Sequence, residues 1–265
     1  MILTPYVLTT SQNLPLLHHL DAFPDILTLL VDDPTSKPFA DLLNYTNQLA
    51  FGGDTNMGMP LWVMLDCGIL SSAIIGFATS REQLPSSILE KLNVPDTYHD
   101  LIPISEYCAC PTLTPHQVSG FSLQSQVPHL NLGLRTKALA MLLYGATSQI
   151  GVTQLDNPAI RVHSKLGPLK LLIHRPVVHT HAHKSFVYEL TLPHHTILKK
   201  LADGLLPHAP QPTLSGTHWS FDPAQAKDHE RLSNLLKDQQ PVMITSPGWH
   251  QHPDGRISID MCLLD

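Results

Sequence analysis

Charge is scarce in this chain: Asp, Glu, Lys and Arg together make up 14% of its 265 residues. Disordered chains combine high charge with few apolar residues, and 43% of the residues here are apolar, so an ordered core is expected. A basic surplus is also missing. The formal net charge of −6 argues against a nucleic-acid binder that works by neutralising phosphates, while leaving room for one small anion held locally. Cysteine is limited to Cys67, Cys108, Cys110 and Cys262. The one close pair has C-x-C spacing, not the C-x-x-C of redox and zinc sites, so reduced thiols are expected. No apolar run approaches the ~20 residues that cross a bilayer. The start, MILTPYVLTT, has no charged segment followed by an apolar one, so no signal peptide is expected and the cytoplasm is the expected compartment. Histidine and proline are the abundant residues, at 17 and 23. The histidines are scattered, which reads as compositional habit and not as one large metal site. The length suits one large domain, or one domain with an appended piece.

Patterning gives a coarse map. Residues 6–10 read as a strand, and 14–49 as helical with breaks near Pro24 and between Pro34 and Pro38. The glycines of FGGDTNMGMP (51–60) mark a loop, and 61–65 and 73–78 read as an antiparallel strand pair. A short helix is expected over 81–93, then an irregular, proline-punctuated connection over 94–117. Residues 119–127 alternate as a strand, 135–146 carry a helical apolar stripe, 150–153 read as a strand and 157–166 as a short helix before Gly167. SFVYELTL (185–192) alternates again. Beyond it, 193–265 read as an extension with a helix over 222–238, capped by Asp222 with Pro223 in its first turn, and a hairpin of 242–245 with 256–263.

The informative stretch runs from Ser119 to Gly167: a strand, a loop containing Asn131, Leu132, Gly133, Leu134, Arg135, Thr136 and Lys137, a helix, a strand, then DNPAIRVHSKLG. A helix that opens just after a tight loop presents unpaired backbone N–H groups and the positive end of its dipole, which suits a pyrophosphate. Gly133 allows close approach, and Arg135, Thr136 and Lys137 would add donors. An ordinary strand-to-helix turn has the same composition, so these residues alone leave both readings open.

The order and wording of the stretch resemble the GNAT superfamily of N-acetyltransferases. In that family a strand ending in Val-Pro leads into an Arg/Gln-x-x-Gly-x-Gly/Ala loop that opens a helix, and an Asn-x-x-Ala helix with a tyrosine follows. Here Val127-Pro128 precede the loop, which reads NLGLRT and is about one residue shorter. Asn157 and Ala159 open the second helix one position closer together, and His163 stands where the family has its tyrosine. The resemblance covers roughly 1–192, most sharply 119–192, and leaves 193–265 to pack on the core or at a homodimer interface. It implies an α/β (α+β) fold with a mixed, mostly antiparallel sheet flanked by helices. It implies acetyl-CoA or another acyl-CoA as co-substrate, no metal, and transfer of the acyl group to an amine on a small molecule, peptide or protein. Neither nucleic acid nor membrane is an expected partner. A non-catalytic acyl-CoA-binding or sensing domain and transfer of a longer acyl chain are the alternatives.

Residue roles follow from the same resemblance. Backbone groups of Leu132 to Thr136 would hold the pyrophosphate. Gln126, Val127, Asn157, Ala159 and Val162 would meet the rest of the cofactor, with the Val127 N–H polarising the thioester carbonyl. His163 would protonate the leaving thiolate, since an imidazolium of pKa ~6.5 gives a proton downhill to a thiolate of pKa ~8.5; it reads equally as a packed helix residue. Glu106 is the candidate general base, with Asp66 and His129 as rivals, and Gln124 and Gln126 would line the acceptor cleft. His179, His181 and His183 alternate before a strand, as a metal pair or trio or as three exposed edge histidines.

Overall fold

The computed structural model describes residues 1–52, 72–176 and 184–265. They divide into two units: Met1–Ala146 with Leu198–Leu205, and Thr147–Ile197 with Leu206–Asp265. This division does not coincide with the expected one at residue 192. The reason is pairing: Met243 and Ile244 of the expected extension sit in register with Lys170 and Leu169, so the C-terminal strands join a sheet begun upstream.

The first unit contains strands β1 (Thr4–Thr9), β2 (Leu27–Leu30), β3 (Ala73–Thr79), β4 (Ile102–Pro111) and β5 (Gln117–Ser125), in the spatial order β2-β1-β3-β4-β5. The pair β1/β2 is parallel, and the others are antiparallel. Two of these strands differ from expectation. Leu27–Leu30 falls inside the region read as helical; its LTLL run pairs beside β1 instead, while short 3-10 turns take up Leu14–Leu16 and Leu20–Ala22. β4 falls inside the region read as irregular. Its prolines stand near its two ends: Pro111 is the last residue, and Pro103, the second, pairs with Ala78 beside the register shift between Phe77 and Ala78.

Helix α1 (Lys37–Phe51) starts with Pro38 in its first turn, where a missing N–H costs nothing. Its Phe39, Ala40 and Leu43 pack on Tyr6, Leu8, Ile74, Ala78 and Cys108. The rings of Tyr6 and Phe39 meet edge-on with centroids 4.9 Å apart. After α2 (Ser86–Lys91) comes α3 (Leu132–Leu143), in which every residue from Thr136 to Leu143 is buried. A helix buried all round needs no polar stripe, which explains its weak amphipathic pattern.

The second unit comprises β6 (Ser148–Gln154), α4 (Ala159–Ser164), β7 (Leu169–His174), β8 (Ser185–Thr191), the start of α5 (His195–Ala202), β9 (Gly216–Phe221), α6 (Ala226–Lys237), β10 (Val242–Gln251) and β11 (Ile257–Leu264). Its strands run β6-β8-β7-β10-β11-β9, every neighbouring pair antiparallel. Tyr188 lies across from Gly151, where a Cβ would come within 2.6 Å of the phenol oxygen. The absent side chain makes room for that ring. Trp249 fixes α4 to β10: its indole Nε1 donates to Leu155 O at 3.1 Å, and Arg161 lies over the indole ring while its Nε donates to Trp249 O at 2.9 Å. The fold is thus α+β with mostly antiparallel strands, and the hairpin expected near the C-terminus is present as β10/β11. The expected strand at 61–65 lies outside the described residues.

Candidate functional site

Glu106 is the chemically unusual residue of the first unit. It sits on β4 opposite Gly76 on one side and Gln124 on the other, and its exposure is 0%. Asn47 Nδ2, from the last turns of α1, donates to its Oε1. Its Oε2 is buried and makes no hydrogen bond among the described residues. Around it lies a polar net under α1: Gln124 Nε2 donates to Thr46 Oγ1 at 3.2 Å, and Gln126 Nε2 donates to Gln124 Oε1 and to Thr46 O. Burial raises the Glu106 carboxyl from 4.5 to about 8, against the opposing pull of hydrogen bonds from Asn47 and Gln124. At neutral pH most of this group is therefore protonated, and it exchanges its proton just above neutrality. Tyr6 packs nearby, its hydroxyl donating to Ser105 O at 2.9 Å; burial, then Glu106, then Cys108 push its phenol well above the usual range.

The second feature of this unit is the start of α3. Its N-cap, Asn131, is left-handed at φ 50° and ψ 28° and makes no side-chain cap bond. His129, two residues earlier, is left-handed too, at φ 68°. Non-glycine residues adopt this region seldom and at a cost, so the loop is held under strain. Arg135 N bonds to Asn131 O at 3.0 Å and closes the first full turn of α3. The amides of Leu132, Gly133 and Leu134 precede that bond and have no intrahelical acceptor, as at any helix start. At the end of β5, Gln126 N donates to Ile104 O at 2.8 Å, and Val127 O accepts from Ser125 Oγ at 3.0 Å.

The side chains expected to add donors at this point are turned to other work. Thr136 is fully buried, its Oγ1 2.7 Å from Ser105 Oγ, which ties α3 to β4. Arg135 Nε donates to Ala202 O at 3.0 Å, covering a carbonyl at the end of α5, while the guanidinium stacks 5.0 Å from the Phe77 ring. Lys137 is 0% exposed, and burial holds its ammonium well below the usual lysine range. The side chains of Leu132 and Leu134 are buried as well. The expectation of a basic rim is thus corrected: what the helix start offers is backbone.

In the second unit, Asn157 Oδ1 accepts from Ala159 N at 2.8 Å, and Ile160 N bonds to Asn157 O at 3.2 Å. That is a turn just ahead of α4, whose N-cap is Pro158, and it uses the asparagine's carbonyl oxygen. Ala159 and Val162 are half-buried on the helix. His163 is 7% exposed, with its ring 5.3 Å from that of Tyr188 and tilted by 31°.

Other candidates fall away or lie elsewhere. Asp66, Cys67, His179, His181 and His183 lie outside the described residues. His250 Nε2 pairs with Asp260 Oδ2 at 2.6 Å, and His252 Nε2 is 3.0 Å from Ser258 Oγ. Among the described residues there is no group of three or more His, Cys, Asp or Glu that could hold a metal ion, and no helix is long and apolar enough to cross a membrane. Sequence reasoning singled out Glu106 but missed its partners on α1. A signal was present: Thr46 and Asn47 continue the buried stripe of Phe39, Leu42 and Leu43, and a polar pair on an apolar face implies a buried polar partner. Comparison with protein families, with curated proteins and with solved structures finds no match to this chain.

Proposed function

We propose that this chain is an acyltransferase of the GNAT type, moving an acetyl or similar acyl group from coenzyme A to an amine. The observation that carries the reading is Glu106: a wholly buried carboxyl, held by Asn47, with one oxygen free of hydrogen bonds among the described residues and a pKa of about 8. An amine must lose a proton before it attacks a thioester, and a base that titrates near the working pH does this best. The start of α3 supports the same reading. Backbone amides behind two left-handed residues suit a diphosphate, and a diphosphate is what an acyl-CoA would bring to them.

In this scheme Glu106, once ionised, takes the proton of the acceptor ammonium through a water relay, because the carboxyl itself is wholly buried. The neutral amine forms the new C–N bond at the acyl carbon, the nitrogen sheds its surplus proton to solvent, the C–S bond breaks, and the thiolate takes up a proton. His163 remains the candidate donor of that proton, as the residue at the family's tyrosine position. A second reading keeps binding and drops transfer. It is favoured by the burial of His163 against Tyr188 and by the engagement of Arg135, Thr136 and Lys137 inside the fold.

Acetyl-CoA consumption against a panel of small amines, amino acids and peptides separates the two. Turnover that rises with pH through about 8 and is lost in Glu106→Gln supports transfer. Saturable binding with no turnover supports the second reading, and neither binding nor turnover removes both.

A further inference from the structure

The second unit contains a cavity of about 730 Å³ that the reading above does not use. That is within the usual size of a small-molecule site, roughly 300–1,000 Å³. It lies between the end of β6, the start of α6 and the turn that joins β10 to β11. Its apolar surface comes from Leu155, Pro223, Ala226 and Ile257.

Three carboxylates and three cationic side chains line it, and two of each are paired. Asp156 pairs with Lys184 at 2.7 Å and Asp254 with Arg256 at 2.6 Å. Asp222 Oδ1 accepts from Ala224 N at 2.8 Å in a turn ahead of α6, whose N-cap is Gln225 and not the expected Asp222, and this carboxylate forms no ion pair among the described residues. Arg175 lines the same cavity and forms no ion pair among the described residues. Its backbone is left-handed at φ 56°, pinned by a bond from its N–H to Ser185 O at 2.9 Å. A bulky residue held there at a cost in strain is a residue whose direction matters.

His229 adds wall and not function. Its Nε2 is 2.8 Å from Pro223 O, and a carbonyl only accepts, so that nitrogen carries the hydrogen. With His229 neutral, its Nδ1 accepts from His174 Nε2 at 2.9 Å, and His174 Nδ1 in turn accepts from Ser233 Oγ at 2.8 Å. Both ring nitrogens of His229 are thus engaged within the fold, and neither is left for a ligand.

We propose that this cavity binds a small organic carboxylate with an apolar body, the carboxylate on Arg175 and the body on the surface of Leu155, Pro223, Ala226 and Ile257. A guanidinium takes a carboxylate through two parallel bonds, which an alcohol or an ammonium cannot reproduce.

Titration calorimetry on the full chain tests this with hexanoate as the probe and with hexanol and hexylamine as comparators. Hexanoate is expected to bind saturably at one site, with both comparators at least roughly tenfold weaker, the discrimination a charge-assisted hydrogen bond supplies. Arg175→Gly removes the guanidinium and suits the left-handed backbone, so it keeps the fold and should weaken hexanoate by roughly tenfold or more. Ala226→Phe fills the cavity from an exposed helix position and should weaken hexanoate without lowering the melting temperature. No saturable hexanoate binding, equal binding of hexylamine, or unchanged affinity in Arg175→Gly each overturns the proposal. Acyl transfer is assayed separately, so its loss or presence leaves this result unaffected.

Discussion

Replacing Glu106 by Gln removes one ionisation while keeping the shape of the side chain and its bond from Asn47. Burial sets the effect. In the folded chain the carboxyl titrates at about 8, against an ordinary value of 4.5 in the unfolded chain. Between those two values the unfolded chain has released the proton and the folded chain has kept it. The folded state then binds more protons, so stability falls as pH rises. The stabilising contribution is fully present below pH 4.5 and is lost as pH climbs through about 8. Each pH unit in the window is a tenfold change in the folding equilibrium, and the whole window amounts to roughly 5 kcal/mol. Glutamine has no such dependence. Urea unfolding of both proteins from pH 4 to pH 9 reads the difference directly. The wild-type curve should fall relative to Glu106→Gln across the window and run parallel to it outside. Curves that stay parallel throughout would mean that Glu106 ionises normally, and the argument for a poised base would go with it.

Three further substitutions probe the surroundings. Gly76→Ala should cost roughly 1–3 kcal/mol in unfolding free energy, because its Cβ would stand 2.0 Å from Ser105 O and 2.7 Å from the Tyr6 ring; an unchanged denaturation midpoint would contradict the packing described. Trp249→Phe should cost roughly 1–3 kcal/mol by leaving the buried Leu155 carbonyl without the indole N–H, read from the urea midpoint. His163→Ala should lower kcat more than it weakens acyl-CoA binding if the imidazole protonates the thiolate, and unchanged turnover would remove it from the mechanism.

The sequence was informative where patterns were local. The alternation in 119–127, 185–192 and 256–263 located β5, β8 and β11 to within a few residues. It was silent where tertiary contacts overrode local signals. β4 is buried on both faces and has proline near each end, so it lacks both alternation and clean boundaries. β7 carries Leu172 and Ile173 at its exposed positions, which blurs its period. The candidate site divides in the same way. A glycine and cationic residues at a helix start were visible, but the inward turn of Thr136 and Lys137 was not. Exposed and buried basic residues read alike until the all-round burial of α3 is known. Glu106 was legible as a carboxylate near a strand; its raised pKa comes from desolvation, which no spacing shows and which outweighs the lowering pull of Asn47, 59 positions earlier in the chain.

In the proposed function, backbone amides at Leu132, Gly133 and Leu134 receive the diphosphate of an acyl-CoA. Calorimetric titration of coenzyme A into the wild type and into Gly133→Glu, at one fixed ionic strength and with circular dichroism as a control for folding, tests it most directly. Stoichiometric binding is expected in the wild type, weakening at least roughly tenfold in the variant, where a carboxylate would take the place of the anion at the helix start. Coenzyme A that fails to bind the wild type, or binds both proteins alike, would contradict it.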